Sequence, residues 1–386
     1  MFKNINHLLK SIHGLSLTIT SFTLPIIMLI IGLKGNTALA AEISIIHSLI
    51  FLIFFPLCGN ARNYILNSND KILKLGITNF RIILYIPLLI IAFIINEITL
   101  KIDIEKFSFF IVVGSFFWFF EIFVTHFEQK GKNIYCLSFL SIISVILISF
   151  FFQKITSYND IIQNLIYLLV LYVPIKIFVF FSYEKNITFK KLKLIFVTKI
   201  YHQIGSSFIV GVTSFLIKIL IVTIYQKEDA GNIFLGFTIG GAIVTFFSYG
   251  VGPTILKQLK NERLISSYIL KIIMLLTCIL LLIFSVNEYY DLIRINNLNF
   301  LFYYSLYFSL IGSIFMIFGQ YYKLFITQNN TKFNIIKFEL IIGFSSISFV
   351  LLSFVSQNEF LITLTYILSS IITYFLYNRV YQKLHK

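Results

Sequence analysis

Charged residues are scarce in this sequence. Only 12% of its 386 residues are Asp, Glu, Lys or Arg, which is about half of the share that is usual in soluble domains. Acidic residues are the rarer sign, with 16 Asp and Glu against 31 Lys and Arg. So few charges cannot cover the surface of a water-soluble domain, and the composition therefore excludes a soluble globular protein.

Cysteine and the short motifs of enzymes are scarce as well. The three cysteines, Cys58, Cys136 and Cys278, lie within or beside apolar runs, at spacings that suit neither a disulfide nor a metal site. The chain has no HExxH, CxxC, Walker or GxSxG motif. We therefore predict that the protein is not an enzyme and that it uses no metal or other cofactor.

Apolar runs of membrane-spanning length fill most of the chain. Hydrophobic residues make up 58% of the sequence, and its mean hydropathy is +0.90. A helix needs about 20 apolar residues to cross a bilayer, so the pattern predicts an all-α, polytopic membrane protein with about twelve transmembrane helices. The predicted spans are 15–33, 41–59, 82–95, 108–127, 134–152, 161–181, 204–224, 233–249, 269–286, 300–318, 335–355 and 361–377.

The basic residues favour one side of the membrane. With the N-terminus inside, 23 of the 31 Lys and Arg fall on inner segments and 6 on outer segments. Acidic residues show the opposite bias, with 9 of the 16 outside and 4 inside. Because positive charge marks the cytoplasmic side, both termini are predicted to be cytoplasmic. These basic residues lie in short connectors and not on a soluble face, so we expect no nucleic-acid partner.

A basic connector at 182–203 divides the predicted spans into two groups of six. Its mixture of Lys, Leu, Ile and Phe is typical of an amphipathic helix at the headgroup boundary. The predicted organisation is an N-terminal six-helix half at 1–181, this cytoplasmic connector, and a C-terminal six-helix half at 204–386. Two such halves are a transporter architecture with the substrate path between them. The connectors are too short for an extramembrane catalytic domain.

Glu121 is the most informative charged residue within a predicted span. A charged side chain at the bilayer centre costs about 2.5–3.5 kcal/mol on insertion scales, so it needs a reason to be there. At helical spacing it shares a face with Gly114, Trp118 and Thr125, and this face would suit the wall of a hydrated cavity. The alternative is a tilted helix that brings Glu121 to the inner interface beside His126.

Three other charged residues within predicted spans are candidates for function. Lys218 shares a face with small and polar residues, and Lys176 follows Pro174, where a kink would open the backbone. Each lysine either faces a cavity or snorkels to the membrane surface. Glu339 lies close to the inner end of its span, so it is either functional or interfacial. Glycines 236, 240 and 241 are more typical of close helix packing than of a substrate site.

The segment GNARN at the inner end of the second span combines small and amide residues around one arginine. Arg62, flanked by Asn60 and Asn63, could bind phosphate through its two-pronged guanidinium group. The alternative is an ordinary positive-inside arginine that follows a helix-ending Gly-Asn pair.

In its twelve spans, its cytoplasmic termini, its GNARNYIL run at 59–66 and its basic stretch before span seven, the chain resembles the Wzx-type polysaccharide flippases. These belong to the multidrug/oligosaccharidyl-lipid/polysaccharide exporter superfamily. The resemblance implies a protein that flips an undecaprenyl-diphosphate-linked oligosaccharide, the repeat unit of O-antigen or capsule, by alternating access. The direction is from the inner to the outer leaflet of the bacterial cytoplasmic (inner) membrane.

The resemblance also implies partners and site residues. Besides the lipid-linked oligosaccharide and the membrane lipids, the expected partners are a polysaccharide polymerase and a chain-length regulator. The cationic cavity of the family implies an anion site. Its candidate residues here are Arg62, Lys218, Lys176, Asn60 and Asn63. Two acidic residues are the candidates for ion coupling, namely Glu121 and Glu339.

Other transporter and enzyme classes remain as alternatives. A small-molecule or multidrug antiporter of the same superfamily would share the fold, but it would need a compact acidic site for its coupling cation. A polysaccharide polymerase generally has a large outer loop with catalytic residues, and the outer connectors here are short. The GxxxDRxGRR-type signature of the major-facilitator transporters is absent after span two.

Overall fold

A computed structural model of the chain describes most of its apolar segments. The residues that it describes are 16–56, 71–130, 133–153, 158–181, 201–251, parts of 274–285, 298–329 and 334–385. Within these ranges the chain is helical apart from short turns, and they contain no β-strand. The described part of the protein is therefore all-α, as the sequence predicts.

The helices follow one another with short connections. Lipid offers no hydrogen-bond partners, so a segment that crosses it must satisfy its own backbone groups, and a helix does this. The long apolar runs of the chain therefore form helices. The helices are α1 (Thr23–Leu33), α2 (Thr37–Ile53), α3 (Lys71–Ile95), α4 (Ile104–Ser115), α5 (Phe117–Gln129), α6 (Asn133–Phe152), α7 (Tyr158–Phe181), α8 (Tyr201–Ile224), α9 (Lys227–Thr245), α10 (Phe300–Asn329), α11 (Ile335–Ser356), α12 (Glu359–Thr363) and α13 (Thr365–His385). Two π-helical turns extend α3 and α9, at Asn96–Leu100 and Phe246–Val251.

Eight helical segments in the described ranges are long and apolar enough to cross a membrane. They are Gly76–Leu100, Ile104–Gln129, Ile134–Phe152, Tyr158–Ile175, Gly205–Ile224, Lys227–Ser248, Phe300–Ile326 and Ile335–Ser356. Large apolar side chains on α6 are exposed, among them Val145 and Ile148, as expected of a helix that contacts lipid. This is the architecture of a polytopic helical membrane protein. The total of twelve spans stays a prediction, since half of the ninth span at 269–286 lies outside the described residues.

The third helix is longer than its sequence predicts. The predicted span covers 82–95, whereas α3 begins at Lys71 and continues through a π turn to Leu100. The predicted bounds of 82–95 place Arg81 just before the span, among the basic residues of an inner connector, and this placement is wrong. Arg81 lies inside α3 and its side chain is fully buried, because a partner in another helix compensates its charge.

The chain divides into two compact units. The first contains Met1–Ile30 and Ile45–Phe215, and the second contains Ile31–Ser44 and Leu216–Lys386. The turn between α1 and α2 thus belongs to the second unit. The predicted halves at 1–181 and 204–386 stay a prediction, and most of the connector at 182–203 lies outside the described residues.

Aromatic side chains fill the interior of the first unit. Trp118, Phe116 and Phe120 are fully buried on α5 and at the bend that precedes it. The Phe116 ring stacks on Tyr172 of α7, and the hydroxyl of Tyr85 in α3 lies 3.1 Å from that of Ser115. These contacts join α3, α4, α5 and α7 around one core.

Small residues bring the helices of the second unit close together. Gly236 and Gly240 of α9 pack directly on the backbone of α10, and the Ser309 hydroxyl of α10 donates a hydrogen bond to the Gly236 carbonyl over 2.8 Å. The hydroxyls of Ser346 in α11 and Ser369 in α13 lie 2.7 Å apart. Such glycine and serine contacts replace the hydrophobic effect, which does not drive helix association inside a bilayer.

Candidate functional site

The predicted substrate residues differ in how much the structure says about them. Arg62, Asn60 and Asn63 lie outside the described residues. Lys176 lies in α7, but its side chain is not among those described. Lys218 of α8 is described together with its contacts, and it therefore carries the structural argument.

Lys218 is a part-buried lysine whose ammonium group contacts an oxygen and an aromatic ring. Its Nζ donates a hydrogen bond to the backbone carbonyl of Ser44 in α2 over 2.9 Å. The same nitrogen lies 5.8 Å from the ring centre of Phe234 in α9, within the range of a cation–π contact. Within the described residues it forms no ion pair with a carboxylate, so its positive charge is not neutralised there.

Ser44, whose carbonyl binds Lys218, and Asn232 of α9 each carry a buried side-chain oxygen without a hydrogen-bond partner in the described part of the chain. The hydroxyl of Ser44 is buried, and no hydrogen-bond partner for it exists in the described part of the chain. The side-chain carbonyl oxygen of Asn232 in α9 is also buried and has no hydrogen-bond partner there. The amide nitrogen of the same side chain donates to the Glu228 carbonyl over 3.0 Å. Unpaired buried polar groups are costly and mark places where a ligand, an ion or water is needed.

Two further contacts join α9 to the first turns of α2, the helix that contains Ser44. The ammonium group of Lys227 lies 2.8 Å from the Glu42 carboxylate, in a pair that is largely exposed at the lysine. Gly231 packs against the backbone carbonyl of Thr37, where a side chain would have no room. The second unit thus places two lysines against one short segment, but only Lys227 has an acidic partner.

Glu121 lies in the interior of the first unit. Its carboxylate is 2.6 Å from Nη2 of Arg81, and Nη1 of Arg81 donates to the Trp118 carbonyl over 2.6 Å. The guanidinium group also lies 5.7 Å from the Trp118 ring centre. Glu121 is therefore buried beside Arg81, a partner that the sequence did not indicate. Both surroundings that the sequence suggested, a hydrated cavity and the inner interface, stay predictions. The role of Glu121 in coupling stays a prediction as well.

Glu339 is buried between three helices of the second unit. One of its oxygens lies 2.5 Å from the Lys323 ammonium of α10 and accepts a hydrogen bond from the Tyr377 hydroxyl of α13 over 2.6 Å. Lys323 also lies 6.0 Å from the ring centre of Tyr377. The sequence left Glu339 as either functional or interfacial, and it did not reveal either of these partners.

The sequence contains a weak signal for each missed partner. Lys323 is followed by Leu324, Phe325 and Ile326, so the apolar run continues past the predicted end of the span at residue 318. Arg81 likewise lies between apolar segments that one long helix can join. Both residues lie outside the predicted spans, because a charge normally marks the end of a membrane helix. A charge with a buried partner can, however, lie inside one.

The comparisons with known proteins come to one result. No protein-family model matches this chain, and no curated protein is significantly similar to it.

The arrangement itself limits the chemistry. The described residues contain no group of three or more His, Cys, Asp or Glu that could hold a metal ion. They do contain Lys218, which is part-buried and forms no ion pair there, and two buried carboxylates with cationic partners. This combination can attract an anion at Lys218.

Proposed function

We propose that this protein is a flippase for an undecaprenyl-diphosphate-linked oligosaccharide, which it moves from the inner to the outer leaflet of the bacterial cytoplasmic membrane. The observation that carries the proposal is Lys218. Its ammonium group is held by the Ser44 carbonyl and the Phe234 ring, and neither of them cancels its charge. A diphosphate is an anion that such a group can bind.

The rest of the chain supports an amphipathic substrate. Exposed apolar side chains on the long helices offer a surface along which a polyprenyl chain can stay in lipid. The polar head then needs a protein path with cations, and the basic excess of the sequence supplies them. Arg62, Asn60, Asn63 and Lys176 are the further residues that we assign to this path.

The membrane potential can contribute to the driving force. An inside-negative potential favours the outward movement of an anion by about 2.3 kcal/mol per charge per 100 mV. A diphosphate that crosses with uncompensated charge would use this energy without ATP hydrolysis. In this proposal the protein works by alternating access, and it delivers its substrate to a polymerase and a chain-length regulator in the same membrane.

Gene deletion in the host with complementation tests the proposal. We expect the deletion strain to accumulate complete lipid-linked repeat units and to lose surface polysaccharide, and the wild-type gene to reverse both effects. Lys218→Gln should reduce surface polysaccharide at least about tenfold, since a charge-assisted hydrogen bond contributes about 1.5–3 kcal/mol. Lys227→Gln is the matched control, because that lysine is already paired, and it should complement like the wild type.

Three results would contradict the proposal. Unchanged lipid intermediates and unchanged surface polysaccharide in the deletion strain would exclude the flippase, and export of drugs or metabolites by an antiporter would become the leading alternative. Full complementation by Lys218→Gln at wild-type protein level would remove Lys218 from the path. Equal defects in Lys218→Gln and Lys227→Gln would point to a general effect of lost charge.

A further inference from the structure

Ser44 carries a buried hydroxyl group that its own helix leaves free. A buried serine or threonine inside a helix commonly donates to the carbonyl three or four residues earlier. Examples in this chain are Ser48, Thr125, Ser309, Ser346, Ser353 and Ser370. Ser44 of α2 is 1% exposed, and its Oγ has no hydrogen-bond partner in the described part of the chain. This hydroxyl group is therefore available to a ligand.

A cation lies beside the hydroxyl group. The Lys218 ammonium of α8 donates to the Ser44 carbonyl oxygen over 2.9 Å. The carbonyl and hydroxyl oxygens of one serine are separated by only four bonds, each about 1.2–1.5 Å long, so the Ser44 hydroxyl group lies close to the ammonium group. Ser305 and Thr365 also have buried hydroxyl groups without a partner in the described residues. Of these three residues, Ser44 is the one whose backbone binds a described lysine.

The ammonium group of Lys218 has donors left for a ligand. An ammonium group carries three N–H donors, and one of them bonds to the Ser44 carbonyl. The Phe234 ring, whose centre is 5.8 Å from Nζ, attracts the positive charge but does not cancel it. The ammonium group of α8 and the hydroxyl group of α2 thus offer donors to a ligand at one place.

No described carboxylate neutralises these donors. Glu42 is the acidic residue of α2, and it lies two residues before Ser44. Side chains two residues apart on a helix do not face each other, and the Glu42 carboxylate lies 2.8 Å from the Lys227 ammonium. The pair formed by Ser44 and Lys218 therefore keeps a positive charge, which attracts anions and repels cations.

We propose that the Ser44 hydroxyl group and the Lys218 ammonium group together bind one phosphoryl group, with Ser44 as a second ligand of the anion. A phosphoryl group has three strong acceptor oxygens, so it can meet donors that come from two different helices. Its binding pairs the free hydroxyl group and gives the Lys218 charge a counterion. That this phosphoryl group belongs to a lipid-linked diphosphate rests on the proposed function, whereas the anion site itself does not.

Neutral ligands and helix packing explain the two groups less well. A water molecule or a sugar hydroxyl can pair the Ser44 hydroxyl group, but it leaves the Lys218 charge without a counterion. A serine that only lets helices approach closely can bond to its own helix, as Ser48 does to the Ile45 carbonyl over 2.7 Å. Alanine is close to serine in size, so packing alone predicts that Ser44→Ala binds ligands like the wild type.

Ligand binding to the purified full-length protein in detergent tests the site. The probes are a polyprenyl diphosphate and the uncharged polyprenol of the same chain length, and native mass spectrometry measures their dissociation constants. Ser44→Ala should weaken binding of the diphosphate at least about tenfold, the size of one hydrogen bond to a charged group, and leave binding of the polyprenol unchanged. Ser48→Ala is the matched control on the same helix, because the Ser48 hydroxyl is already paired, and it should bind both probes like the wild type.

Competition with inorganic pyrophosphate separates two sources of the phosphoryl group. Displacement of the polyprenyl diphosphate from the wild type would show that free anions reach the site as well as lipid headgroups. Failure to displace it would assign the site to lipid headgroups. Either result supports the phosphoryl site once Ser44→Ala has weakened binding of the lipid.

The contrary results concern the two serines of α2. Unchanged affinity of Ser44→Ala for the polyprenyl diphosphate would overturn the proposal, and so would an equal loss of affinity in Ser48→Ala. If Ser44→Ala does not fold, Ser44→Cys makes the same test, because a thiol is only a weak donor.

The proposed function fails in a different way from this inference. Weakened binding in Ser44→Ala, together with no transport of a lipid-linked glycan by the wild type in vesicles, would leave the anion site standing and exclude the flippase. Transport by the wild type, together with unchanged binding in Ser44→Ala, would support the flippase and exclude Ser44 as a ligand.

Discussion

At the scale of single residues, the charges inside the helices are held by partners that are distant in sequence. Arg81 and Glu121 are 40 residues apart, and Lys323 and Glu339 are 16 apart. Sequence reasoning identified both glutamates as unusual from the cost of a charge within an apolar run. It could not identify their partners, because no local periodicity links residues on different helices.

The buried pair of Arg81 and Glu121 should behave as one unit in the stability of the protein. We expect Arg81→Met and Glu121→Gln each to lower the free energy of unfolding by about 3–5 kcal/mol, because each breaks a buried ion pair. The free energy of unfolding should fall much less in the double variant than the sum of the two single losses. Denaturation of the purified protein in detergent, arranged as a double-mutant cycle, measures this coupling.

The exposed pair of Lys227 and Glu42 provides the control for this cycle. Its lysine is largely exposed, and such pairs contribute about 0–1 kcal/mol. Lys227→Gln should therefore leave the unfolding transition almost unchanged. Strictly additive effects of the Arg81 and Glu121 substitutions would show that the two side chains do not interact.

At the scale of helices, α9 and α10 approach closely because the face of α9 that meets α10 carries glycine. A β-carbon at Gly240 would lie 2.5 Å from the Ser309 carbonyl oxygen, whereas one at Gly241 would meet nothing within 4 Å. The sequence indicated that these glycines serve helix packing. It could not tell the two neighbours apart, because that depends on where α10 lies.

This difference makes a matched pair of substitutions within one helix. Gly240→Ala should lower the free energy of unfolding by about 1–3 kcal/mol, because the backbones of α9 and α10 must move apart. Gly241→Ala should raise it by up to about 1 kcal/mol, since alanine favours the helical state over glycine. Thermal unfolding in detergent compares the two variants directly. Equal effects of both substitutions would mean that α9 and α10 do not pack as described.

Helix ends were harder to predict than helices. The apolar runs located the long helices, because only a helix satisfies the backbone of such a run in lipid. The start of α3 at Lys71 was missed because lysines and arginines normally mark the membrane surface. Arg81 departs from that pattern, since Glu121 and the Trp118 carbonyl replace the water that an exposed arginine would bind.

At the scale of the whole molecule, composition predicted the class of protein. The low charge and high hydropathy of the sequence indicated a polytopic helical membrane protein, and eight membrane-length helices in the described residues agree with it. Of the residues that the sequence predicted for an anion site, only Lys218 has a described side chain. Lys218 was predicted from its position in an apolar run, while its contact with Ser44 depends on two helices that are 174 residues apart in sequence.

Transport of a lipid-linked glycan by the purified protein is the most direct test of the proposed function. Proteoliposomes would be prepared with a polyprenyl-diphosphate-linked oligosaccharide in both leaflets, and an added glycosidase would digest the outer pool. If the wild-type protein moves the lipid across the bilayer, digestion should continue past the outer pool, and Lys218→Gln should slow this second phase at least about tenfold. Digestion that stops at the outer pool, as in vesicles without protein, would contradict the proposed function.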